Sequence, residues 1–231
     1  MKVKSKVNSY FSKAEIVLWG ASVLFIVLSF CIFDRENYLT LIASVVGASS
    51  LIFNAKGNFF GQILMIIFSI LYGVISYTFS YYGEMITYLG MTAPMAIFSL
   101  ISWLKNPYSE KRTEVSVKSL NIIEIILGLI LMVAVTVALY FILDFFDTKN
   151  IIPGTISVST SFAAAYLTFK RSEYYAVAYA ANDIVLIVLW ALAAAVDLSY
   201  ISIIVCFVVF LINDMYGFIN WRRIKICQNL S

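Results

Sequence analysis

The chain has no histidine among its 231 residues. Without imidazole there is no Ser-His triad, no His-ligated zinc and no imidazole proton relay. Cysteine is nearly as scarce. Cys31, Cys206 and Cys227 have neither paired nor metal-ligand spacing, and they read as small apolar residues in helices. Charge is thin as well, at 13% of residues, where a soluble domain carries about 25%. There is no Glu-x-x-His, and few reactive groups lie within the apolar stretches, so an enzyme is not expected. Neither a cofactor nor a metal site is expected.

What is present is apolar. Hydrophobic residues make up 62% of the chain, and the mean hydropathy is +0.92. No single aqueous core could hide that much apolar surface, so the solvent that suits it is lipid. Apolar runs fall near 15–33, 39–55, 58–81, 85–104, 118–145, 152–169, 174–196 and 199–221. A span needs about 20 residues. The shortest run, 152–169, opens on Pro153-Gly154, which suits a helix start. The first run follows four lysines and resembles a signal peptide. It is too long for an h-region and lacks small residues at a cleavage site, so it reads as a helix. The expected fold class is an all-α integral membrane protein with eight transmembrane helices.

Orientation follows from the basic residues. With a cytoplasmic N-terminus and eight alternating spans, all 16 lysines and arginines except Arg35 and Lys149 fall inside. That is the positive-inside pattern, and one helix more or fewer would scramble it. Asp34, Glu36, Glu84, Asp144, Asp147 and Asp197 fall mainly outside. Both termini are expected in the cytoplasm, with the chain multi-pass in the cell membrane. Topology accounts for the basic loops, so no nucleic-acid partner is expected. The loop at 105–118 is too short to carry a soluble domain.

The chain also repeats. Residues 39–106 and 152–223 each hold three apolar runs. The first break is basic in both, at Ala55-Lys56-Gly57 and Phe169-Lys170-Arg171. Both end in a tryptophan and a base, at Trp103-Leu104-Lys105 and Trp221-Arg222-Arg223. Two such units keep one orientation only if an odd number of helices joins them, and the run at 118–145 supplies one. The expected layout has a basic N-terminus and extra helix over 1–38 and a first three-helix unit over 39–106. A cytoplasmic loop and linker helix follow over 107–150, then a second unit over 151–223 and a tail over 224–231. Parallel repeats of this kind are a transporter architecture.

Polar residues mark candidate sites. Asn58, Gln62, Met65, Ser69, Tyr72 and Ser76 recur at steps of three and four, one face of a helix. In lipid such a stripe must face protein or a water-filled cavity. With Lys56 aligned to Lys170, the matching stripe is Ala176, Tyr179, Asp183, Leu186 and Trp190. Asp183 is about 14 Å into its helix. An ionised carboxylate at that depth costs about 2.5–3.5 kcal/mol, which points to a substrate or coupling role. Asn182-Asp183 recurs as Asn213-Asp214, where Asp214 lies nearer the cytoplasmic end and reads first as a tie between helices. Trp19, Trp103 and Trp221 lie near helix ends and read as interface anchors. Tyr179 and Trp190 share the Asp183 face and are expected to sandwich a planar ring. Stacking plus a few hydrogen bonds suits a ribosylated heterocycle. The expected substrate-binding residues are Asn58, Gln62, Ser69, Tyr72, Tyr179, Asn182, Asp183, Trp190, Asn213 and Asp214.

Over residues 39–223 the chain resembles the PnuC family of vitamin and nucleoside-type transporters. The likeness rests on the helix pattern, on Asn182-Asp183-Ile184-Val185-Leu186-Ile187-Val188-Leu189-Trp190, and on Tyr216-Gly217-Phe218-Ile219-Asn220-Trp221. The resemblance implies a SWEET-like three-plus-one-plus-three fold, a homotrimer in the lipid bilayer, and facilitated diffusion with trapping by cytoplasmic phosphorylation. It implies nicotinamide riboside as substrate. The family's riboside branch carries Trp-x-x-Trp-x-x-x-Asp/Asn on this helix. Here Asp183 matches the acidic end, while Ala176 and Tyr179 hold the tryptophan positions. That departure leaves a deoxyribonucleoside, thiamine or riboflavin open as substrate. A proton-coupled carrier using Asp183 stays open as well, and so does a membrane sensor or assembly protein.

Overall fold

In hydrocarbon a backbone must satisfy its polar groups within its own segment, so each apolar run closes into a helix. The computed structural model describes residues 10–108, 111–148 and 150–230. In chain order the helices are α1 (Lys13–Phe33), α2 (Tyr38–Ala55), α3 (Phe60–Thr78) and α4 (Tyr82–Lys105). They continue as α5 (Ile122–Phe145), α6 (Ile151–Phe169), α7 (Tyr175–Ala194) and α8 (Ile201–Leu230). All eight are long and apolar enough to cross a membrane. The fold class is therefore all-helical with eight spans. Helix α8 runs past the expected end at 221 to Leu230. Lys2, Lys4, Lys6 and Lys149, which entered the orientation argument, lie outside the described residues.

Helices α1 and α5 start alike, each with a capping box. Ser12 accepts from the Glu15 N–H at 3.2 Å while Glu15 accepts from the Ser12 N–H at 2.7 Å. Asn121 and Glu124 exchange the same two bonds at 2.8 and 3.2 Å. Helix α4 is irregular. Pro94 lacks an N–H and crowds the turn before it. Residues Thr87–Thr92 widen there into a π-helix, a form that clusters at functional sites.

Helices α2, α3, α4, α6, α7 and α8 pack into one bundle. Close approach between α2 and α3 depends on Gly61, where an added Cβ would lie 2.6 Å from the Asn54 backbone nitrogen. Helix α1 lies outside on α2 and α8, and α5 lies outside on α6. Among its described residues α5 buries only Gly128 and Leu143, so most of this very apolar helix faces outward.

The turns after α2 and α6 match bond for bond at an offset of 114. Gly57 donates to Asn54 O at 2.9 Å and Asn58 donates to Phe53 O at 3.0 Å. Arg171 donates to Thr168 O at 3.0 Å and Ser172 donates to Leu167 O at 2.9 Å. Gly57 has φ +64° and Arg171 has φ +60°, the left-handed region that costs a side chain energy. These two turns, the α4–α5 connection and the end of α8 gather at one end of the bundle. It carries Lys56, Lys105, Lys118, Lys170, Arg171, Arg222 and Arg223 and is called the basic end below.

Candidate functional site

Two carboxylic acids meet inside the bundle. Asp183 stands about two turns into α7 and Asp214 stands on α8, each 3% exposed. Asp183 Oδ2 is buried with no partner among the described residues. The pair lines a cavity of about 20 Å³ that draws walls from α2, α3 and α4 on one side and α6, α7 and α8 on the other. That is room for about one water.

Around the acids the lining is aromatic and hydroxylic. Phe68, Tyr88, Tyr179, Phe207 and Phe210 supply rings, while Thr92, Ser161 and Asn182 supply polar groups. No lysine or arginine is among the residues that line it. Asn182 Oδ1 accepts from Thr160 at 2.8 Å and Ser161 at 2.9 Å, which orients its amide against α6.

Of the residues expected from sequence, Tyr179, Asn182, Asp183 and Asp214 come together here. The others lie elsewhere. Asn58 caps the Phe60 N–H at 2.9 Å in the α2–α3 turn. Gln62 donates to Asn54 Oδ1 at 2.8 Å. Ser69 donates to Met65 O in its own helix at 2.8 Å. Asn213 points to the outer helix, donating to Ser22 Oγ at 2.9 Å. Tyr72 accepts from Trp190 Nε1 at 2.6 Å, and both are buried beyond the cavity. The expected sandwich between Tyr179 and Trp190 is not formed. Three helical turns, about 16 Å, separate them along α7.

Aromatic residues close the cavity at both ends, Tyr72 and Trp190 among them. Away from the basic end, Trp190 packs with Tyr81 at 4.8 Å and Tyr200 at 5.5 Å, and Tyr72 meets Tyr88 at 4.4 Å. Toward the basic end a chain of rings runs from Tyr179 to Tyr175 (6.2 Å), Trp221 (4.7 Å) and Trp103 (5.4 Å). Here the expectation of interface anchors fails, because Trp103 and Trp221 are fully buried. Trp103 Nε1 donates to Thr168 O at 3.0 Å, and Trp221 Nε1 donates to Asn54 O at 2.7 Å. Ser102 donates to Phe169 O at 2.9 Å, and Asn220 donates to Ala55 O at 2.8 Å. Helix α4 thus ties down the end of α6, and α8 ties down the end of α2.

Sequence reasoning missed the second wall of the site. Ser161 carried a signal, since hydroxyl residues crowd α6 from Thr155 to Ser161. The rings of Phe68, Phe207 and Phe210 carried none, because they look like any apolar packing. Glu84, expected outside, is buried at 2% between α4 and α6, and its Oε2 has no partner among the described residues.

Comparisons with known proteins agree with the all-helical fold. Residues 37–223 match the family described as nicotinamide mononucleotide transporter. A nicotinamide riboside transporter PnuC from Neisseria mucosa is 25% identical over 198 residues, covering 84% of this chain and 75% of that one. The crystal structure of a vitamin B3 transporter PnuC superposes with a TM-score of 0.81 at 24% identity, over 94% of each chain.

Proposed function

Because the chain belongs to the nicotinamide mononucleotide transporter family, and is thus a membrane transporter and not an enzyme, we propose that its cargo is the riboside of a nicotinamide-type base. The acid pair carries this reading. A nucleotide's phosphate needs lysine, arginine or a helix N-terminus to offset its charge. Asp183 and Asp214 would repel it, and no base lines the cavity to compensate. A riboside of a pyridinium base instead has one fixed positive charge. Two carboxyls sharing one proton have one negative charge. Tyr88, Tyr179 and Phe68 offer ring faces to a cationic heterocycle. Asn182, Ser161 and Thr92 offer hydrogen bonds to ribose hydroxyls.

The reading extends to architecture and energetics. Residues 39–106 and 151–223 are parallel repeats joined by α5, which the matched turns and reciprocal tryptophan bonds support. The basic end faces the cytoplasm with both termini, as the positive-inside pattern requires. Passage is downhill, and phosphorylation in the cytoplasm traps the cargo. Three copies assemble in the bilayer, and the outward face of α5 supplies surface for lipid and neighbours. The cavity of about 20 Å³ is too small for a riboside, so the described state is closed and the units must part to load.

Uptake into proteoliposomes without ion gradients tests this. Labelled nicotinamide riboside is expected to equilibrate, and nicotinamide mononucleotide is expected to stay outside. No equilibration, or equal entry of the nucleotide, overturns the reading. A second cargo is favoured by Ala176 and Tyr179. Ala176 is fully buried, 3.6 Å from where a Cβ on Gly217 would stand, so no indole fits there. If thiamine or a deoxyribonucleoside competes better than the riboside itself, that second cargo replaces the first.

A further inference from the structure

The connection between α4 and α5 is fastened across the basic end of the cavity. Strands β1 (Pro107–Tyr108) and β2 (Lys111–Val115) form a short antiparallel ribbon, and β2 leads into residues 116–118. The Val115 N–H donates to Gly57 O at 2.9 Å. Two residues past Ser116, the Lys118 N–H donates to Arg171 O at 3.0 Å. Gly57 and Arg171 are the two left-handed residues of the matched turns. One segment therefore bridges both three-helix units. Its third tie comes from the extension of α8. Gln228 Oε1 accepts from the Val117 N–H at 2.8 Å, and Gln228 Nε2 donates to Val115 O at 3.0 Å, so one amide imitates a neighbouring strand.

The side chain of Val115 is 2% exposed and packs with Trp103, Tyr175, Ala176 and Trp221. Those rings are the stack that leads from Tyr179 to the basic end. Val115 caps the stack, so release from the cavity in that direction must move this residue. Its ties are few, and those of Val117 and Lys118 are open to water, where a broken hydrogen bond is replaced at small net cost. The helices it crosses have no such freedom.

We propose that residues 115–118 form a strap over the basic-end exit, with Gln228 as its catch, and that the strap lifts each time cargo passes. Alternating access moves one three-helix unit against the other. The strap is held by both, so that movement breaks one of its ties. The idea rests on the transport reading, but its first test does not.

The first test uses Val115→Cys in the full chain with exposed Cys31 and Cys227 replaced by serine. A membrane-impermeant maleimide reports how often residue 115 becomes accessible. Adding Gln228→Ala removes two hydrogen bonds and should raise the labelling rate about tenfold. An unchanged rate overturns the catch whatever the cargo is. The second test joins Val117→Cys to Gln228→Cys with a flexible reducible thiol cross-linker. Riboside exchange should fall to background when cross-linked and return on reduction. Exchange that continues in the cross-linked protein overturns the strap. A protein that moves no riboside even before cross-linking counts against the proposed cargo and leaves the labelling result standing.

Discussion

The two ends of the central cavity are closed by different chemistry. At the basic end, polar ties run between the units: indole to carbonyl, amide to carbonyl, hydroxyl to carbonyl. At the other end, Trp190, Tyr72, Tyr81 and Tyr200 close the space mainly by ring packing, with the Trp190–Tyr72 bond at 2.6 Å as the polar link among those four. Ring packing is tolerant of small shifts and costly to empty. Hydrogen bonds to helix-end carbonyls are directional, and each holds only over a narrow range of distance and angle. The first kind of closure suits an entrance that remodels, the second a latch between two rigid units.

The comparison can be tested one closure at a time. Trp190→Ala empties a fully buried indole site and leaves Tyr72 without its donor, so a loss of about 3–5 kcal/mol is expected in thermal unfolding in detergent. A small loss would mean that the ring cage does not hold that end. Between the ends, Asp183→Asn together with Asp214→Asn keeps the shape of the acid pair and removes its charge. Riboside uptake should fall about 10–100-fold while unfolding stays near the parent value, the span set by about 1.5–3 kcal/mol for a charged hydrogen bond. Unfolding that worsens with no change in uptake would make the pair a structural tie.

Smaller effects probe the latch. Trp103→Phe and Trp221→Phe each remove one indole bond to a carbonyl that keeps its turn bond, and should cost about 0.5–1.5 kcal/mol. Their costs should match, since the two bonds are reciprocal. A lopsided pair of values would break the equivalence of the two units. Arg171→Gly relieves a left-handed side chain and should stabilise by about 1 kcal/mol. The smallest shifts come from the ion pairs of the outer helices. Lys56 meets Glu15 at 3.2 Å and Lys170 meets Glu124 at 3.1 Å, with both lysines partly open to water. Lys56→Met and Lys170→Met should each cost about 1 kcal/mol or less, and less still at high salt.

Those ion pairs bear on the outer helices. By sequence α1 is an addition to the repeat and α5 is a linker. Both begin in a capping box whose glutamate also binds the lysine of the adjacent matched turn. The two helices are held alike, α1 against α2 and α5 against α6. Periodicity could not show this, because the glutamates lie 109 residues apart while the turns lie 114 apart, and only three-dimensional contact relates them.

Much of the fold was legible in the chain. Length and apolarity of the runs implied eight spans, since lipid leaves a backbone few other options. Asp183 and Asn182 stood out because a carboxyl deep in an apolar run is expensive. Asp214 stood out less, because depth along its own helix says nothing of which acid it will face. Tyr72, Gln62 and Trp190 shared the right face at the wrong height, and a helical wheel records angle while discarding rise. The rings of Phe68, Phe207 and Phe210 were invisible, because apolar residues in lipid-facing and cavity-facing positions look the same.

Composition, charge placement and one buried carboxylate thus determined class, span number and the neighbourhood of the site. Tertiary structure alone decided which polar residues meet: that two acids share a cavity, that tryptophans at helix ends turn inward to bind carbonyls of α2 and α6, and that a short loop reaches over the basic end. The physical reason is that solvent preference acts residue by residue and is written locally. Hydrogen-bond partners across the bundle depend on how helices rotate and slide against one another, and that is fixed only when all of them pack at once.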